Sequence, residues 1–522
     1  KDGKKINLKT VDLTGNEDEL TSEVLALEEG TYQMVKYVAY NNKGAQIQEA
    51  YVDDENNITV KHGEMATFYF PVSIRFVYVN NQLRNQLFGL CEQVLGTDST
   101  KWPKTWRVEN EDLLTWENLE FEVDDYGNIS YLATIIFDNK AFPGMKKLPE
   151  LISTFSTLEG IQIMNIPEFE ELPESLDKST LYSILIMNTG FKAFPKNFEK
   201  MKNLRSLTVV NSQLTELPAR LGELPELRDL EISGNTISEF PAALAEKLQK
   251  VVSLRMNDTK LTTLPSNIFG MKMMSTFDFR NNPNLNALPE NRGEGVRMGG
   301  LLLDNCGFTS IPKIAKGRLR TLTLANNKIT SVSESELNGL SDELETLVLD
   351  GNKINTFPKM NSESLIELKL DDCGLSAIPD LSALPNLRSL ALAKNNINAI
   401  GDGVFSKNPY ISILDFSDNA GLTSFSANAG IYLKEQEDVI KGVTEKVSKP
   451  FYLHCVNVDN CPSLTWQVPA TWCCIENFKM ENKEDLLLPR RNVIVYNRNS
   501  SGVTRAVCPV DGCKATYELP KD

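Results

Sequence analysis

From residue 158 onward the chain returns to one phrase, Leu-x-x-Leu-x-Leu-x-x-Asn-x-Leu, and that period restricts its fold more than any other feature. Clear copies start at Leu204 (with Leu207, Val209, Ser212 and Leu214), Leu227 (Leu230, Ile232, Asn235, Ile237) and Leu344 (Leu347, Leu349, Asn352, Ile354). The first positions read Leu158, Leu181, Leu204, Leu227, Val251, Met274, Met298, Leu319, Leu344, Leu365, Leu387, Ile411, Leu453 and Ile475. Subtracting neighbouring starts gives steps of 21 to 25 residues, except for 42 between Ile411 and Leu453. One copy cannot bury its own apolar face, so consecutive copies must stack and share a core.

The first, fourth and sixth positions are apolar in all of these copies, from Leu158, Ile161 and Ile163 to Ile475, Phe478 and Met480. Residues two apart on a strand face the same side, so this spacing predicts a short strand that sends its fourth and sixth side chains into the core. The ninth position follows the strand, where turn backbone groups need a partner. Asn235, Asn282, Asn327, Asn352, Asn395 and Asn419 fill it; Thr189, Ser212 and Thr259 can substitute, and Cys306, Cys373 and Cys461 read as structural occupants of the same slot. Ile166 and Lys483 depart from the rule at the terminal copies, and Phe169, Leu285, Leu422 and Leu464 come one residue late, as after a bulge. Prolines such as Pro173, Pro218, Pro241 and Pro358 force extended geometry on the residue before them and open brief helical or 3₁₀ turns on the opposite side. Fourteen strands spaced by ~4.8 Å make a parallel sheet about 65 Å long.

This phrase resembles the leucine-rich repeat family, which implies an α/β horseshoe, a parallel β-sheet solenoid, over residues 151–490. Residues 75–150 are similar to the cap that precedes extracellular repeats of plant receptors and bacterial surface proteins. That likeness rests on an amphipathic helix at Leu83–Cys91, Trp102, Trp106 and Trp116, then Asp125-Tyr126-Gly127-Asn128-Ile129 and Leu132. The three tryptophans are expected to be cap core rather than a sugar platform. Residues 1–74, with alternating segments at 31–40 and 66–72, read as a small antiparallel β-sandwich that resembles immunoglobulin-like or transthyretin-like modules of surface lipoproteins. Ile431, Val439, Ile440, Val443 and Val447 predict a short amphipathic helix inside the long step. Residues 491–522 are expected to cap the far end, with Cys473, Cys474, Cys508 and Cys513 as a disulfide or, without C-x₂-C spacing, a zinc site.

Composition narrows the function. A net charge of −16 disfavours a nucleic-acid partner, which needs concentrated Lys and Arg. The 2 histidines, His62 and His454, fall in separate predicted domains, so Ser-His-Asp and Cys-His sites are not expected, and the sequence carries no P-loop or H-E-x-x-H. Neither an enzyme nor a cofactor is expected. No apolar run approaches the ~20 residues that span a bilayer. A chain opening at Lys1 reads as processed or truncated, so the precursor is expected to carry a secretion or lipoprotein signal and to meet the membrane only through a removed lipid anchor.

The informative surface is the concave face, where residues between core positions point outward. Tyr182, Arg228, Asp229, Glu231, Arg255, Asp278, Arg280, Asp304, Asp350, Lys369, Asp371 and Asp415 are the candidate contact residues. Their mixed charge suits a protein partner, host or bacterial, more than a lipid. The expectation is a non-catalytic protein-binding scaffold at a bacterial cell surface, extracellular or on the outer membrane, of undetermined oligomeric state. Alternatives are a glycan-binding protein for nutrient capture, using aromatic residues of the cap or β-module, and a structural spacer.

Overall fold

The computed structural model describes six short strands within residues 13–60, then residues 81–106, 113, 116–123, 129–289, 298–314, 319–431, 433–440, 443–450, 452–468 and 494–505. The chain divides into two units, residues 1–84 with 105–117 and residues 85–104 with 118–522. In the first, strands pair antiparallel two by two: Leu13–Asn16 with Glu19–Ser22, Gly30–Gln33 with Asn57–Val60, and Lys36–Tyr40 with Gln46–Tyr51. Residues 66–72 lie outside the described residues. Trp106 stacks on Trp116 at 5.5 Å between ring centroids and donates its indole N–H to the Glu117 carbonyl at 2.6 Å. Both rings are buried.

The second unit carries the period. Among the described residues its main sheet has 16 strands, ordered along the chain, and only its first pair, Leu119–Val123 with Ile129–Asp138, is antiparallel. The expected cap helix is present as α1 (Asn81–Leu95), with Leu83, Leu87, Leu90 and Cys91 buried along one stripe. Trp102 is buried too, 5.3 Å from Phe88, and its N–H donates to the Gly96 carbonyl. All three tryptophans are buried, as expected of core residues. Strand Ile129–Asp138 closes the cap as a rung of the solenoid itself: Leu132, Ile135 and Phe137 are buried at repeat spacing, and Ile135 and Phe137 pair in register with Ile161 and Ile163.

From Gly160–Met164 to Cys455–Asn457 the strands of repeats 1 to 13 follow in parallel register, with first, fourth and sixth side chains in one continuous core. The expected turns opposite the sheet appear after proline, as at Glu174–Lys178, Ala219–Glu223 and the helical turn Ala242–Lys247. Two expectations are corrected. The segment before repeat 13 is an antiparallel hairpin, Leu433–Ile440 with Val443–Pro450, not a helix. The strand beside Cys455–Asn457 is Ile494–Tyr496, so rung 14 is centred on Val495 rather than on Phe478, and residues assigned to the far cap continue the sheet. Ile475 and the four cysteines of the expected disulfide or zinc site lie outside the described residues.

The ninth-position amides tie repeats together. Asn352 donates to the carbonyls of Leu349 in its own repeat and Leu324 in the one before, each at 2.8 Å, while its Oδ1 accepts the Ile329 N–H. Asn235, Asn282, Asn327, Asn395 and Asn419 likewise accept the N–H of the preceding repeat's eleventh residue: Leu214, Leu261, Phe308, Leu375 and Ile397. The four late residues dispense with this service. Phe169, Leu285, Leu422 and Leu464 each donate to the carbonyl of their own ninth residue, closing a tight turn. Each such repeat is followed by a slot without asparagine: Thr189, Cys306, Cys461 and Ser500. Cys306 and Cys373 donate weakly to the Phe279 and Leu349 carbonyls, and burial pushes their thiols up to about 11 and about 12, as fits structural residues.

A second ladder was not anticipated. The eighth residue has positive φ in all fourteen rungs, from Asn165 to Asn499, and is Asn, Asp or Gly everywhere except Lys394. These are the residue types that tolerate the left-handed region. Neighbouring amides bond along the exposed turn edge, as Asn188 to Asn165 at 2.7 Å and Asn305 to Asn281 at 2.7 Å.

Two substitutions test this account in urea denaturation. Asn352→Ala leaves a buried N–H and two carbonyls short of a partner and should cost about 2–4 kcal/mol. Lys394→Gly, which relieves the one unsuited left-handed residue, should gain about 0.5–1 kcal/mol; a loss there would contradict the backbone reading.

Candidate functional site

Because the strands run in register, equivalent outward residues form continuous columns. The fifth-position column pairs Gln162, Leu185, Thr208, Glu231, Arg255 and Asp278 in sequence, and continues through Leu302, Thr323, Val348, Lys369 and Ala391 to Asp415 and Asn457. Tyr496 extends it on rung 14. The expected contact residues therefore share one face, but they separate into two groups with different chemistry.

On repeats 2 to 5 the face is aromatic and carries both signs of charge. Tyr182, Arg228, Asp229 and Arg255 are exposed, and Glu231 is half-buried. Arg255 lies 3.8 Å from Glu231 across adjacent strands, and Arg228 lies 4.0 Å from Glu226. Exposed pairs of this kind contribute at most about 1 kcal/mol, so they leave the side chains available to a partner. Arg205 is an addition that the sequence reading passed over: its guanidinium sits 5.2 Å above the Tyr182 ring. Beside it, the Tyr131 hydroxyl donates to Glu159 at 2.8 Å. Second-position residues aligned on successive repeats were the available signal for Glu159, Tyr182, Arg205 and Arg228.

Asp278 is a correction. Its side chain is buried, held by Arg280 through two bonds of 2.8 and 2.7 Å, with the Asn257 amide oriented to donate to it. It props Arg280 and does not itself meet solvent. The alternation rule predicts an outward direction but not that neighbouring side chains fold over it.

On repeats 7 to 12 the face turns acidic. Asp304, Asp350 and Asp371 are half-buried seventh residues, each accepting the backbone N–H of the next repeat's seventh residue: Ala325 at 2.7 Å, Asp371 at 2.8 Å and Ala393 at 2.6 Å. They bind neighbouring repeats together as well as charging the face. Asp415 accepts from the Ser417 N–H and hydroxyl and from Asn457, and Lys369 pairs with Glu367 at 3.1 Å. Burial raises the carboxyls of Asp304 and Asp350. Asp371 is pushed up to about 6, first by burial and then by the Asp350 charge, with Asp415 adding from the far side.

Among the described residues no group of three or more His, Cys, Asp or Glu side chains is arranged to hold a metal, and no helix is long and apolar enough to cross a membrane. His454, the one imidazole among them, sits at a second position with Nδ1 buried and no hydrogen-bond partner.

The Asp371 shift has a definite sign. A carboxyl whose folded pKa lies above its unfolded value stabilises the fold most fully below the unfolded pKa, and that contribution is lost as pH rises through about 6. Asp371→Asn keeps an oxygen for the Ala393 N–H and removes the charge. It should raise the melting temperature at pH 7.5 by about 1–2 °C and leave it nearly unchanged near pH 4.5. Scanning fluorimetry across that range reads the difference directly; a lower melting point at pH 7.5 would show that the charge is stabilising.

A leucine rich repeat family model matches residues 385–435. Keratocan of Mus musculus is 33% identical over 125 residues, covering 23% of this chain and 34% of keratocan. Tsukushi of Gallus gallus is 24% identical over 186 residues, 34% of this chain and 50% of Tsukushi, so the chain spans a half or less of these two relatives. Fibromodulin of Sus scrofa is 32% identical over 139 residues, 25% of this chain and 92% of the fibromodulin sequence. Among solved structures, a leucine-rich repeat protein of Leptospira interrogans shares 20% identity over 55% of this chain and 90% of its own, with a TM-score of 0.34. The plant peptide hormone receptor RGFR1, solved in complex with RGF2, shares 14% identity over 68% and 73%, with a TM-score of 0.39. On its repeats, its register and the fibromodulin match, the chain belongs to the leucine-rich repeat family.

Proposed function

We propose that this chain is a non-catalytic scaffold that binds a protein partner on the concave face of its repeats. The observation that carries the reading is the group on repeats 2 to 5, where Tyr182, Arg205, Arg228, Asp229 and Arg255 stand out from a rigid in-register sheet. Aromatic and arginine side chains fixed on a stiff support give a partner large contact area at low entropic cost. A sheet of 16 strands, at ~4.8 Å per strand, extends about 70 Å and can supply the roughly 800 Å² per partner of a standard interface.

An extracellular setting is part of the proposal, supported by the extracellular type of cap seen in the sequence. Display on a bacterial surface through a lipid anchor, with residues 1–74 as an immunoglobulin-like sandwich, rests on sequence resemblance alone. The buried tryptophans support the protein-binding reading over a glycan-binding role through the cap.

The test is binding by a triple variant, Arg228→Ala with Glu231→Ala and Arg255→Ala, against any partner identified by cross-linking to the intact chain. These residues are peripheral to the core, so thermal stability should stay within ~0.5 kcal/mol while affinity falls at least about tenfold, or 1.4 kcal/mol. Full retention of affinity would remove this face from the account.

A further inference from the structure

Five large apolar side chains remain exposed among the described residues, and all occupy the edge where the chain enters the sheet. Met273, Tyr410 and Tyr452 immediately precede the first position of their repeats, Tyr182 is a second position and Ile413 a third. Three of the five gather on repeats 12 and 13. Tyr410 and Tyr452 are 37% and 42% exposed, with ring centroids 5.1 Å apart at 63°, and Ile413 is 43% exposed on the strand that pairs with Cys455–Asn457. Contiguous exposed apolar surface of this kind marks contact with another molecule.

Charge indicates which molecule. Further along the same strands from that edge, Asp371 and Asp415 stand on either side of repeat 11, whose outward fifth and seventh residues are only Ala391 and Ala393. Nothing bulky rises between the two carboxylates. The Asp415 charge reaches Asp371 across the alanine strand. An aromatic edge that leads along the strands to acid on a bare floor is complementary to an extended segment with cations on flexible stems. The chain builds the same contact internally at the other end of the face, where Arg205 covers Tyr182 at 5.2 Å.

We propose that the edge formed by Tyr410, Ile413 and Tyr452 docks an extended segment of a partner protein bearing Lys or Arg, its cations set over the tyrosine rings and toward Asp371 and Asp415. This rests on the concave-face reading above and adds the partner's chemistry and the half of the face it uses. Apolar stems of such residues would cover Ile413 while their charges meet the carboxylates.

The test uses the full chain and three fluorescein-labelled nonapeptides, Arg alternating with Ser, Glu alternating with Ser, and Ser alternating with Gly, read by fluorescence polarisation. The arginine peptide should bind in preference to the other two, and more weakly at higher salt. Tyr410→Ser with Tyr452→Ser should weaken it roughly tenfold, Asp415→Asn should weaken it and flatten the salt dependence, and Tyr410→Phe with Tyr452→Phe, which keeps both rings, should restore binding. Equal binding of the glutamate or neutral peptide, or indifference to the serine variants, overturns the proposal. If arginine-peptide binding is instead lost in the Arg228, Glu231, Arg255 triple variant alone, the concave face stands and this edge does not. A concentration-dependent dimer in sedimentation that the serine variants dissolve would make the occupant a second copy, and also overturns it.

Discussion

A backbone N–H buried between consecutive repeats is the constraint from which the rest of this structure follows. In six turns after a strand the eleventh residue's donor faces the next repeat, away from water, and an unpaired buried donor costs about 1–3 kcal/mol. Six asparagines answer it from the following repeat, as Asn352 does for Ile329. Because the same amide also donates to a carbonyl of each repeat, one side chain fixes the distance and the rotation between two rungs. Apolar burial drives the stacking, but it is not directional; the amide supplies the register.

Register then determines what the open face can offer. Strict pairing places like positions about 4.8 Å apart along every column, so the face is read by columns rather than by repeats. Charge brought together this way must be compensated locally. On repeats 4 and 5 it is compensated by opposite signs, as between Glu231 and Arg255. On repeats 9 to 12 compensation comes from backbone N–H groups instead, and Asp350 and Asp371 spend part of their hydrogen-bonding capacity holding the sheet. The acidic half of the surface is therefore simultaneously a structural joint and a field, which the mixed half is not.

The period, the core and the cap helix were legible in the sequence because burial at fixed spacing is a strong, redundant signal. The late residues were legible as well, though not their link to the slot that follows. Rung 14 was not: Asn492 and Asn497 stand at positions reserved for apolar residues, so only the pairing of Ile494–Tyr496 with Cys455–Asn457 reveals it. The hairpin before repeat 13 was misread because Val439, Ile440, Val443 and Val447 satisfy a helical stripe; the two residues Lys441-Gly442 between strands were the stronger cue. On the face, direction was predictable and exposure was not. Asp278 points as expected and is nonetheless covered by Arg280 and Asn257, a matter of side-chain packing that no spacing rule contains.

The coupling between a late residue and the next repeat's slot bears on how such an array can change length. Phe169, Leu285, Leu422 and Leu464 satisfy their own donor, and Thr189, Cys306, Cys461 and Ser500 behind them lack the asparagine oxygen that would otherwise serve it. The rule runs one way: Ser212, Thr259 and Cys373 also lack asparagine and follow repeats with no late residue, so a late residue dispenses with the asparagine behind it, but the slot alone does not call for a late residue. Moving a repeat whose eleventh N–H is served from behind, as Ile329 is by Asn352, separates a donor from its acceptor, so at those six junctions the seam runs through a repeat rather than between repeats.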